Sequence, residues 1–440
     1  MRKKILKLQN SSNFGALLTN GLLASMRLLN FTLLARALST ENFGIWVIYL
    51  TTVNFMEMLR FGLLRTAFIK FTSGLAEVEQ RIVEGSSWLI ALAFCLLIGL
   101  LALLFHFLQP LIPLSESFRL FFVYYPAYAL LVLPYHYATF KLQAAKRFMA
   151  IFALTVTHTT SWASILIFNL FYPLSLQQLV WGHIAAISMA SGLALLLGWS
   201  NVSAIPAASK AWIMKLLHFG KYSIGTLIGS NLLKSADTYL INLFLGPAAT
   251  ALYNIPLRLT EMLEIPLRAL AQTALPKISA AANQNQKTRI SELFAQYTSF
   301  ASLIYLPLLS AAFIFAPQLV TLIGGEQYTG THSIFRIFLV ASVFLPADRF
   351  AGVTLDAIGL PQINLRKVVV MALVNIAGDY LVLQYSTNLS LVALVTINTL
   401  FIGMSYGLYQ LIRLKIIKMA HFKAYLFKYG RRLKLSKNTP

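Results

Sequence analysis

Blocks of about 20 apolar residues, each the length of one bilayer crossing, recur along almost the whole chain between short polar stretches. A helix satisfies every backbone N–H and C=O within its own segment, as hydrocarbon requires. The pattern therefore predicts an all-α polytopic membrane protein with about 12 transmembrane helices. The predicted crossings lie near residues 14–37, 43–64, 87–108, 119–140, 149–171, 177–199, 219–243, 249–271, 295–316, 333–357, 365–385 and 390–412.

Composition supports this prediction. Of the 440 residues, 58% are hydrophobic and only 11% are charged, whereas soluble domains carry roughly 25% charged residues. The single cysteine, Cys95, lies inside an apolar block, which excludes an intrachain disulfide and predicts a buried, inert thiol. The apolar part of the N-terminal segment runs past Arg27 to Leu38 without a convincing cleavage site, so we expect a retained first crossing rather than a signal peptide.

The cations between the crossings are distributed very unevenly. With twelve crossings, one side of the membrane receives 27 Lys and Arg residues, and the other receives only Arg36 and Arg119. The positive-inside rule places the cation-rich side, and with it both termini, in the cytoplasm. The net charge of +22 then reflects topology and requires no nucleic-acid partner. The basic tail, residues 414–440, is expected either to lie on the inner membrane surface or to serve only as a topology signal.

The two halves of the chain resemble each other at low identity. A shift of 207 residues places the first two crossings on the seventh and eighth. It aligns Arg27 with Lys234, Asn30 with Asp237, and Glu57 with Glu264. We therefore predict two pseudo-symmetric six-helix lobes, residues 1–205 and 206–413, related by an axis along the membrane normal.

Charged residues inside the predicted crossings are the strongest functional signal, because each costs about 2.5–3.5 kcal/mol at mid-membrane on insertion scales. They concentrate in crossings one, two, seven and eight. These residues are Arg27, Glu57, Arg60, Lys234, Asp237, Arg258, Glu261, Glu264 and Arg268. Helical spacing groups them into polar faces with Asn30 and Asn54, which predicts a central hydrated cavity between the two lobes.

A purely structural alternative stays open, in which the same charges form ion pairs that hold the helices together. Glu264 and Arg268 are four residues apart, and Arg258 and Glu261 are three apart, which are the spacings that pair on a helix. Lys234 and Asp237 have the same three-residue spacing. Four polar faces are, however, a costly way to join helices that small residues could pack.

The sequence lacks the motifs of common catalytic chemistry. The seven histidines form no metal-ligand spacing, and we find no HExxH, CxxC, Walker or GxSxG motif. His158 and His183 are interpreted as helix-packing residues rather than proton carriers. We therefore predict a transport protein rather than an enzyme, with no metal or organic cofactor.

Three segments resemble a known family. They are LLARALSTENFGIWVIYLTTVNFMEMLRFGLLR at residues 33–65, the LIGGEQYTG loop, and DAIGLPQ at 356–362. The chain is similar to the bacterial polysaccharide, or O-antigen, flippases of the multidrug/oligosaccharidyl-lipid/polysaccharide exporter superfamily. The resemblance implies two six-helix lobes in which helices one, two, seven and eight line a V-shaped cavity. It also implies a substrate, an oligosaccharide on an undecaprenyl pyrophosphate carrier that moves from the inner to the outer leaflet.

On this basis we expect a flippase of the bacterial cytoplasmic (inner) membrane that works by alternating access in surface polysaccharide synthesis, including O-antigen, lipopolysaccharide, capsule or exopolysaccharide. The residues expected to bind substrate are Arg27, Arg60, Lys234, Arg258, Arg268, Asn30 and Asn54. The carboxylates expected to pair with these cations or to carry a coupling H⁺ or Na⁺ are Glu57, Asp237, Glu261 and Glu264. Expected partners are membrane lipids, the lipid-linked oligosaccharide, and glycan polymerase and chain-length proteins.

Two other functions fit parts of the pattern. An ion-coupled multidrug or cation antiporter of the same fold would depend more on its carboxylates than on its cations. A membrane glycan polymerase or ligase would need an outer loop that holds the acceptor, and the longest predicted outer loop, around PQLVTLIGGEQYTGT, is too short.

Overall fold

A computed structural model of the protein describes residues 12–72, 76–108, 115–145 and 147–418, and these residues form helices joined by short loops without any β-strand. The basic N-terminal residues 1–11 and most of the predicted basic tail, residues 419–440, lie outside the described part. The prediction of an all-α chain is confirmed.

Fifteen α-helices, α1 to α15, follow one another through the described ranges. They are α1 Ser12–Ala37, α2 Thr40–Thr72, α3 Glu77–Leu108, α4 Glu116–Leu131, α5 Leu133–Ala144, α6 Phe148–Phe171, α7 Leu176–Leu196, α8 Lys210–Leu263, α9 Ile265–Asn283, α10 Lys287–Ile314, α11 Ala316–Gly324, α12 His332–Ser342, α13 Leu345–Ala357, α14 Pro361–Tyr385 and α15 Leu389–Arg413. Short 3₁₀ helices occupy Val202–Ala207 and Glu326–Thr331.

Helices cover all twelve predicted crossings. Among the described residues, eight helices are long and apolar enough to span a membrane, and there are up to ten spans if each of two bent helix pairs is one span. The confirmed architecture is therefore that of a polytopic helical membrane protein.

Prolines explain several breaks within the crossings. The α4–α5 pair bends by 47° next to Pro134, and the pair from Glu326–Ser342 to α13 bends by 45° next to Pro346. Pro266 lies at the start of α9, directly after a break at Glu264. A proline at the start of a helix loses no hydrogen bond, because its missing N–H has no intrahelical acceptor there. Pro126 and Pro307, in contrast, lie within uninterrupted helices.

Two local features set helix boundaries. Gly246, with φ of +83°, interrupts α8 between the predicted seventh and eighth crossings, in a conformation that favours glycine. At the start of α7, the Gln178 N–H donates to the Ser175 hydroxyl at 3.2 Å, and the Ser175 N–H donates to the Gln178 side chain at 2.8 Å. This capping box satisfies two backbone donors that a helix start leaves free.

The chain divides into two compact units, Met1–Ile228 and Gly229–Pro440. The division falls within α8, so residues 206–228 group with the first unit, whereas the sequence placed the lobe boundary at 205. In the first unit, Trp46 stacks on Trp162 at 5.4 Å, and the His183 ring meets both tryptophans edge-on. His158 lies 5.9 Å from His183, ring to ring. This geometry agrees with the interpretation of both histidines as packing residues.

In the second unit, α8, α12, α14 and α15 pack around Tyr253 and Phe338, whose rings meet edge-on at 5.3 Å. The other buried residues of this cluster are Ile241, Ile334, Leu383, Val392 and Ala393. The apolar cluster lies beside a group of buried charges, which form the candidate site.

Candidate functional site

In the first unit, Glu57 accepts three contacts inside the helix bundle. The Arg60 guanidinium lies 2.8 Å from Glu57 Oε2, and the Tyr125 hydroxyl donates to Oε1 at 2.7 Å. His136 Nε2 lies 3.4 Å from Oε2. Glu57 and Arg60 are three residues apart on α2, so the helix itself brings them onto one face.

Arg60 is bound to the protein on several sides. Its Nη1 donates to the carbonyl of Ala129 at 2.8 Å and contacts Cys95 Sγ at 3.2 Å, and the side chain is only 2% exposed. Its guanidinium also lies over the Phe61 ring at 4.4 Å. A cation so enclosed holds α2, α3 and α4 together, and in this structure it faces no open space.

The other predicted substrate-binding residues of the first unit differ in exposure. Arg27 is exposed and has no ion-pair partner among the residues that the structure describes. Asn30 is buried and donates to the Thr159 carbonyl at 3.0 Å, while its Oδ1 has no partner. Asn54 is exposed. Arg27 and Asn54 are thus the accessible members of this set.

The second unit contains a cavity of about 350 Å³ with charged walls. Five of its charged lining residues belong to the predicted set, and the other four lie on helices α13 and α14. The charged lining residues are Lys234, Asp237, Glu261, Glu264, Arg268, Asp348, Arg349, Asp356 and Lys367.

Within the part of the second unit that the structure describes, four ion pairs form around this cavity, and three of them involve the carboxylates of Glu261 and Glu264. Arg258 lies 2.7 Å from Glu261, and Arg268 lies 3.1 Å from Glu264, so the spacings that favour pairing on the helix produce pairs here. Arg349 reaches the same Glu264 oxygen from α13 at 3.6 Å. Glu264 therefore lies between two guanidiniums from different helices.

Lys234 does not pair with Asp237 in the described structure, although their spacing would allow it. It lies instead within electrostatic range of Glu261, Glu264, Arg268 and Arg349. Its ammonium has no carboxylate within ion-pair distance among the described residues, and its side chain is exposed to the cavity.

The sequence does not single out Lys367 as a paired residue. It lies in the first two turns of α14, is 4% exposed and pairs with Asp348 at 2.7 Å. Its Nζ also reaches the Asp348 backbone carbonyl at 3.2 Å. Helix α14 begins at Pro361 and packs against α13. The carboxylate that compensates the buried charge of Lys367 therefore lies on a different helix.

Asp237 has surroundings unlike those of the other carboxylates. The Tyr253 hydroxyl donates to it at 2.7 Å, and the carboxyl group of Asp379 from α14 faces it closely enough to share a hydrogen bond. Asn375 donates to Asp379 at 3.3 Å. Four buried oxygens here have no partner in the structure, namely Asp237 Oδ1, Asp379 Oδ1, Asn375 Oδ1 and Thr396 Oγ1.

Sequence reasoning missed Asp379, which is fully buried. The available signal was a lone carboxylate inside the predicted crossing at 365–385, a position where ionisable residues are expensive. The described ranges contain no cluster of three or more His, Cys, Asp or Glu side chains arranged for a metal ion.

The sequence matches the family described as polysaccharide biosynthesis protein over residues 33–333. One relative, the probable low-salt glycan biosynthesis flippase Agl15 of Haloferax volcanii, is 21% identical over 193 residues. This match covers 43% of the chain and 41% of the relative, so the chain matches less than half of that protein's length.

Solved structures show the same fold. The lipid II flippase MurJ, in an inward closed conformation, matches with a TM-score of 0.74 at 15% identity, over 96% of this chain and 92% of that one. An inward-facing multidrug resistance MATE family transporter of the MOP superfamily matches with a TM-score of 0.73 at 14% identity, over 94% and 96%. At these identities the likeness establishes the fold and leaves the substrate open.

Proposed function

Because the chain belongs to the polysaccharide biosynthesis protein family, we propose that it is a flippase for lipid-linked oligosaccharide. The substrate is an oligosaccharide repeat unit on undecaprenyl pyrophosphate, which moves from the inner to the outer leaflet by alternating access. The protein lies in the bacterial cytoplasmic membrane, with both termini in the cytoplasm. The translocated repeat unit is used to build surface polysaccharides such as O-antigen, capsule or exopolysaccharide. A glycan polymerase and chain-length proteins act next on that repeat unit.

The charged cavity of the second unit is the observation that carries this proposal. An apolar helical bundle has no packing need for nine charged residues around about 350 Å³ of open space. The charged residues of the cavity wall can bind the diphosphate and the many hydroxyl groups of such a substrate. Charge-assisted hydrogen bonds to phosphate are strong where water is scarce.

The predicted substrate-binding residues take two roles in this proposal. Arg27 and Lys234 lack ion-pair partners within the described part of the chain, so they contact the diphosphate or anionic sugars directly. Three other arginines form ion pairs that fix the positions of their guanidiniums. The pairs are Arg60–Glu57, Arg258–Glu261 and Arg268–Glu264. Asn30 and Asn54 offer amides to sugar hydroxyls.

Asp237 and Asp379 form the proposed coupling-ion site. Two facing carboxyl groups bind a proton or an alkali cation readily, because adjacent like charges disfavour full ionisation of both. The unpartnered oxygens of Asn375 and Thr396 beside them are the hard ligands that suit Na⁺. H⁺ and Na⁺ both fit these residues, and the ion supplies the energy for the return step.

An ion-coupled multidrug or cation antiporter is the second candidate, and the likeness to a MATE family transporter favours it. In that case the carboxylates would hold the transported cation. Replacing Glu261 and Glu264 with glutamine would then abolish transport, whereas replacing Lys234 would have little effect.

Deletion of the gene tests the proposal directly. We expect lipid-linked glycan to accumulate on the cytoplasmic leaflet and surface glycan to disappear, both restored by the wild-type chain. Normal surface glycan together with altered dye efflux would contradict the flippase and favour the antiporter.

A further inference from the structure

The second unit has another cavity, of about 330 Å³, away from its charged one. The lining comes from Leu252 in α8, from the 3₁₀ helix Glu326–Thr331 and the first residues of α12, and from the connection between α14 and α15. These segments lie where predicted crossings seven and eight, nine and ten, and eleven and twelve are joined. Because successive crossings alternate in direction, all three lie on the cation-poor side that the sequence predicts as the outer one. We call this cavity the outer groove.

The polar side chains of the outer groove are uncharged. Six of its ten lining residues carry a hydroxyl or an amide, namely Gln327, Thr331, Ser333, Thr387, Asn388 and Ser390. No charged residue of the described chain is among the ten, and neither Glu326 nor His332, which adjoin the lining residues in sequence, belongs to the lining. The charged cavity of the same unit has nine charged lining residues. The outer groove therefore suits a ligand that is polar and neutral.

The chemistry of the lining indicates which neutral ligand fits. Hydroxyls and amides each offer donors and acceptors. An ionised phosphate only accepts hydrogen bonds and an ammonium only donates them, so either would leave part of this lining unmatched. A sugar hydroxyl donates and accepts, and it matches both kinds of group.

The apolar part of the lining and the size of the groove agree with a sugar. Leu252, Ile334 and Leu389 complete the wall and offer contact to the C–H face of a sugar ring. Ligand pockets begin at roughly 300 Å³, so the groove has space for a small part of a glycan rather than for the whole lipid-linked molecule.

Internal hydrogen bonds fix two of the polar groups before a ligand arrives. Thr331 is 5% exposed, and its hydroxyl donates to the Tyr328 carbonyl at 2.8 Å, so its oxygen offers an acceptor to a ligand. Asn388 Oδ1 accepts from the Ser390 N–H at 2.9 Å, so its NH₂ group is the part that offers donors. Groups that are already ordered lose less entropy on binding.

We propose that the outer groove binds a neutral sugar residue of the translocated glycan on the outer side of the membrane. The inference rests on the proposed flippase function and deepens it, because it assigns sugar recognition to a site outside the charged cavity. The carrier diphosphate is common to lipid-linked glycans of this class and cannot distinguish them. A groove that matches sugar hydroxyls selects glycans by their sugars instead.

The binding test uses the purified full chain in lauryldimethylamine oxide, a detergent without a sugar headgroup. Saturation-transfer NMR is recorded with glucose, galactose, mannose, rhamnose and N-acetylglucosamine. We expect at least one of these sugars to receive saturation from the wild-type protein. Absence of transfer to all five would overturn the site.

Two substitutions locate the bound sugar. Asn388→Ser removes the amide and keeps a residue that caps the start of α15 well, and Thr387→Val replaces an exposed hydroxyl with a methyl group. Each should weaken binding of the responding sugar about threefold to tenfold and leave the thermal unfolding midpoint unchanged. The matched control, Thr273→Val, alters an exposed threonine of α9 outside the groove and should bind like the wild type. Wild-type affinity in the Thr387→Val/Asn388→Ser double variant would overturn the assignment.

Cysteine labelling tests the location of the groove on intact cells. Cys95, the single native cysteine, is replaced by alanine, and Ser333→Cys then places a thiol in the groove. A membrane-impermeant maleimide should label it from outside, and the responding sugar should slow the labelling at least about threefold. The control is Gln177→Cys, an exposed residue at the start of α7 on the same predicted side, whose labelling the sugar should not change.

Equal labelling of Ser333→Cys with and without sugar, or no labelling from outside, would overturn the proposal. Neither result touches the flippase itself, whose failure would appear as normal leaflet distribution of lipid-linked glycan in the deletion strain.

Discussion

The guanidinium of Arg60 lies 2.8 Å from the carboxylate of Glu57, and both side chains are buried inside the first unit. Tyr125 and His136 contact the same carboxylate. The pair therefore belongs to a polar network that joins α2, α4 and α5. Removing one partner would leave the other charge buried without compensation, which is far costlier than removing both.

Arg60→Gln should consequently destabilise the protein by about 3–5 kcal/mol, and the Glu57→Gln/Arg60→Gln double variant should recover much of that loss. The measurement is the thermal unfolding midpoint in detergent. The exposed Arg289–Glu292 pair, at 3.1 Å, is the matched control, because Arg289→Gln should cost no more than about 1 kcal/mol. If Arg60→Gln unfolds at the wild-type midpoint and loses only transport, Arg60 binds substrate and the network contributes little to the stability of the fold.

Asp237→Asn and Asp379→Asn should each uncouple transport from its driving ion. Both substitutions keep the shape of the side chain and remove the charge that holds H⁺ or Na⁺, so the gradient-driven rate should fall about tenfold or more. The measurement is flipping in proteoliposomes under imposed pH and Na⁺ gradients. The response of the wild type to each gradient also identifies the ion.

Glu261→Gln serves as the control for this experiment. Glu261 lines the same cavity but is paired with Arg258, so its loss should leave the gradient dependence intact. A gradient dependence that survives in Asp379→Asn and disappears in Glu261→Gln would contradict the assignment of the coupling site.

The apolar pattern predicts the helices well because hydrocarbon imposes a strong and purely local requirement on each crossing. All twelve predicted segments are helical. Charge partners are harder to predict, since they depend on which helices meet. The four-residue spacing correctly indicated that Glu264 could pair with Arg268. Nothing in the sequence indicates the contact between Glu264 and Arg349, which lies 85 residues further along the chain, on α13.

Lys367 is a second residue whose ion-pair partner the sequence does not indicate. A lysine near a predicted loop is normally a topology signal, and only the packing of α14 on α13 brings Asp348 within 2.7 Å of it. Asp379 was overlooked because no other charged residue lies near it along its own crossing, and its partner Asp237 lies on a different helix. Tertiary contacts thus decide which intramembrane charges pair with each other and which face the cavity.

Gly85→Ala should destabilise the first unit. A β-carbon at this position would clash with the carbonyl oxygen of Ala204, in the 3₁₀ helix that packs on α3. Backbone must shift to accept it, and overpacking of this kind costs typically about 1–3 kcal/mol. The effect should appear as a lower unfolding midpoint and a lower yield of folded protein.

Gly99, on the same helix, provides the matched control. A β-carbon there has no atom within 4 Å, so Gly99→Ala should be neutral or should stabilise the helix by up to about 1 kcal/mol. Equal midpoints for the Gly85 and Gly99 variants would show that the 3₁₀ segment does not pack on α3 as the structure has it.

The last prediction concerns membrane orientation, which follows from the uneven distribution of cations. Green fluorescent protein fused after Pro440 should be fluorescent, because both termini are expected in the cytoplasm. Alkaline phosphatase fused after Gly330, between α11 and α12, should be active, and the same enzyme fused after Asn285, between α9 and α10, should be inactive. Active phosphatase at Asn285 or a dark C-terminal fusion would reverse the orientation, and the leaflet on which the substrate is loaded would reverse with it.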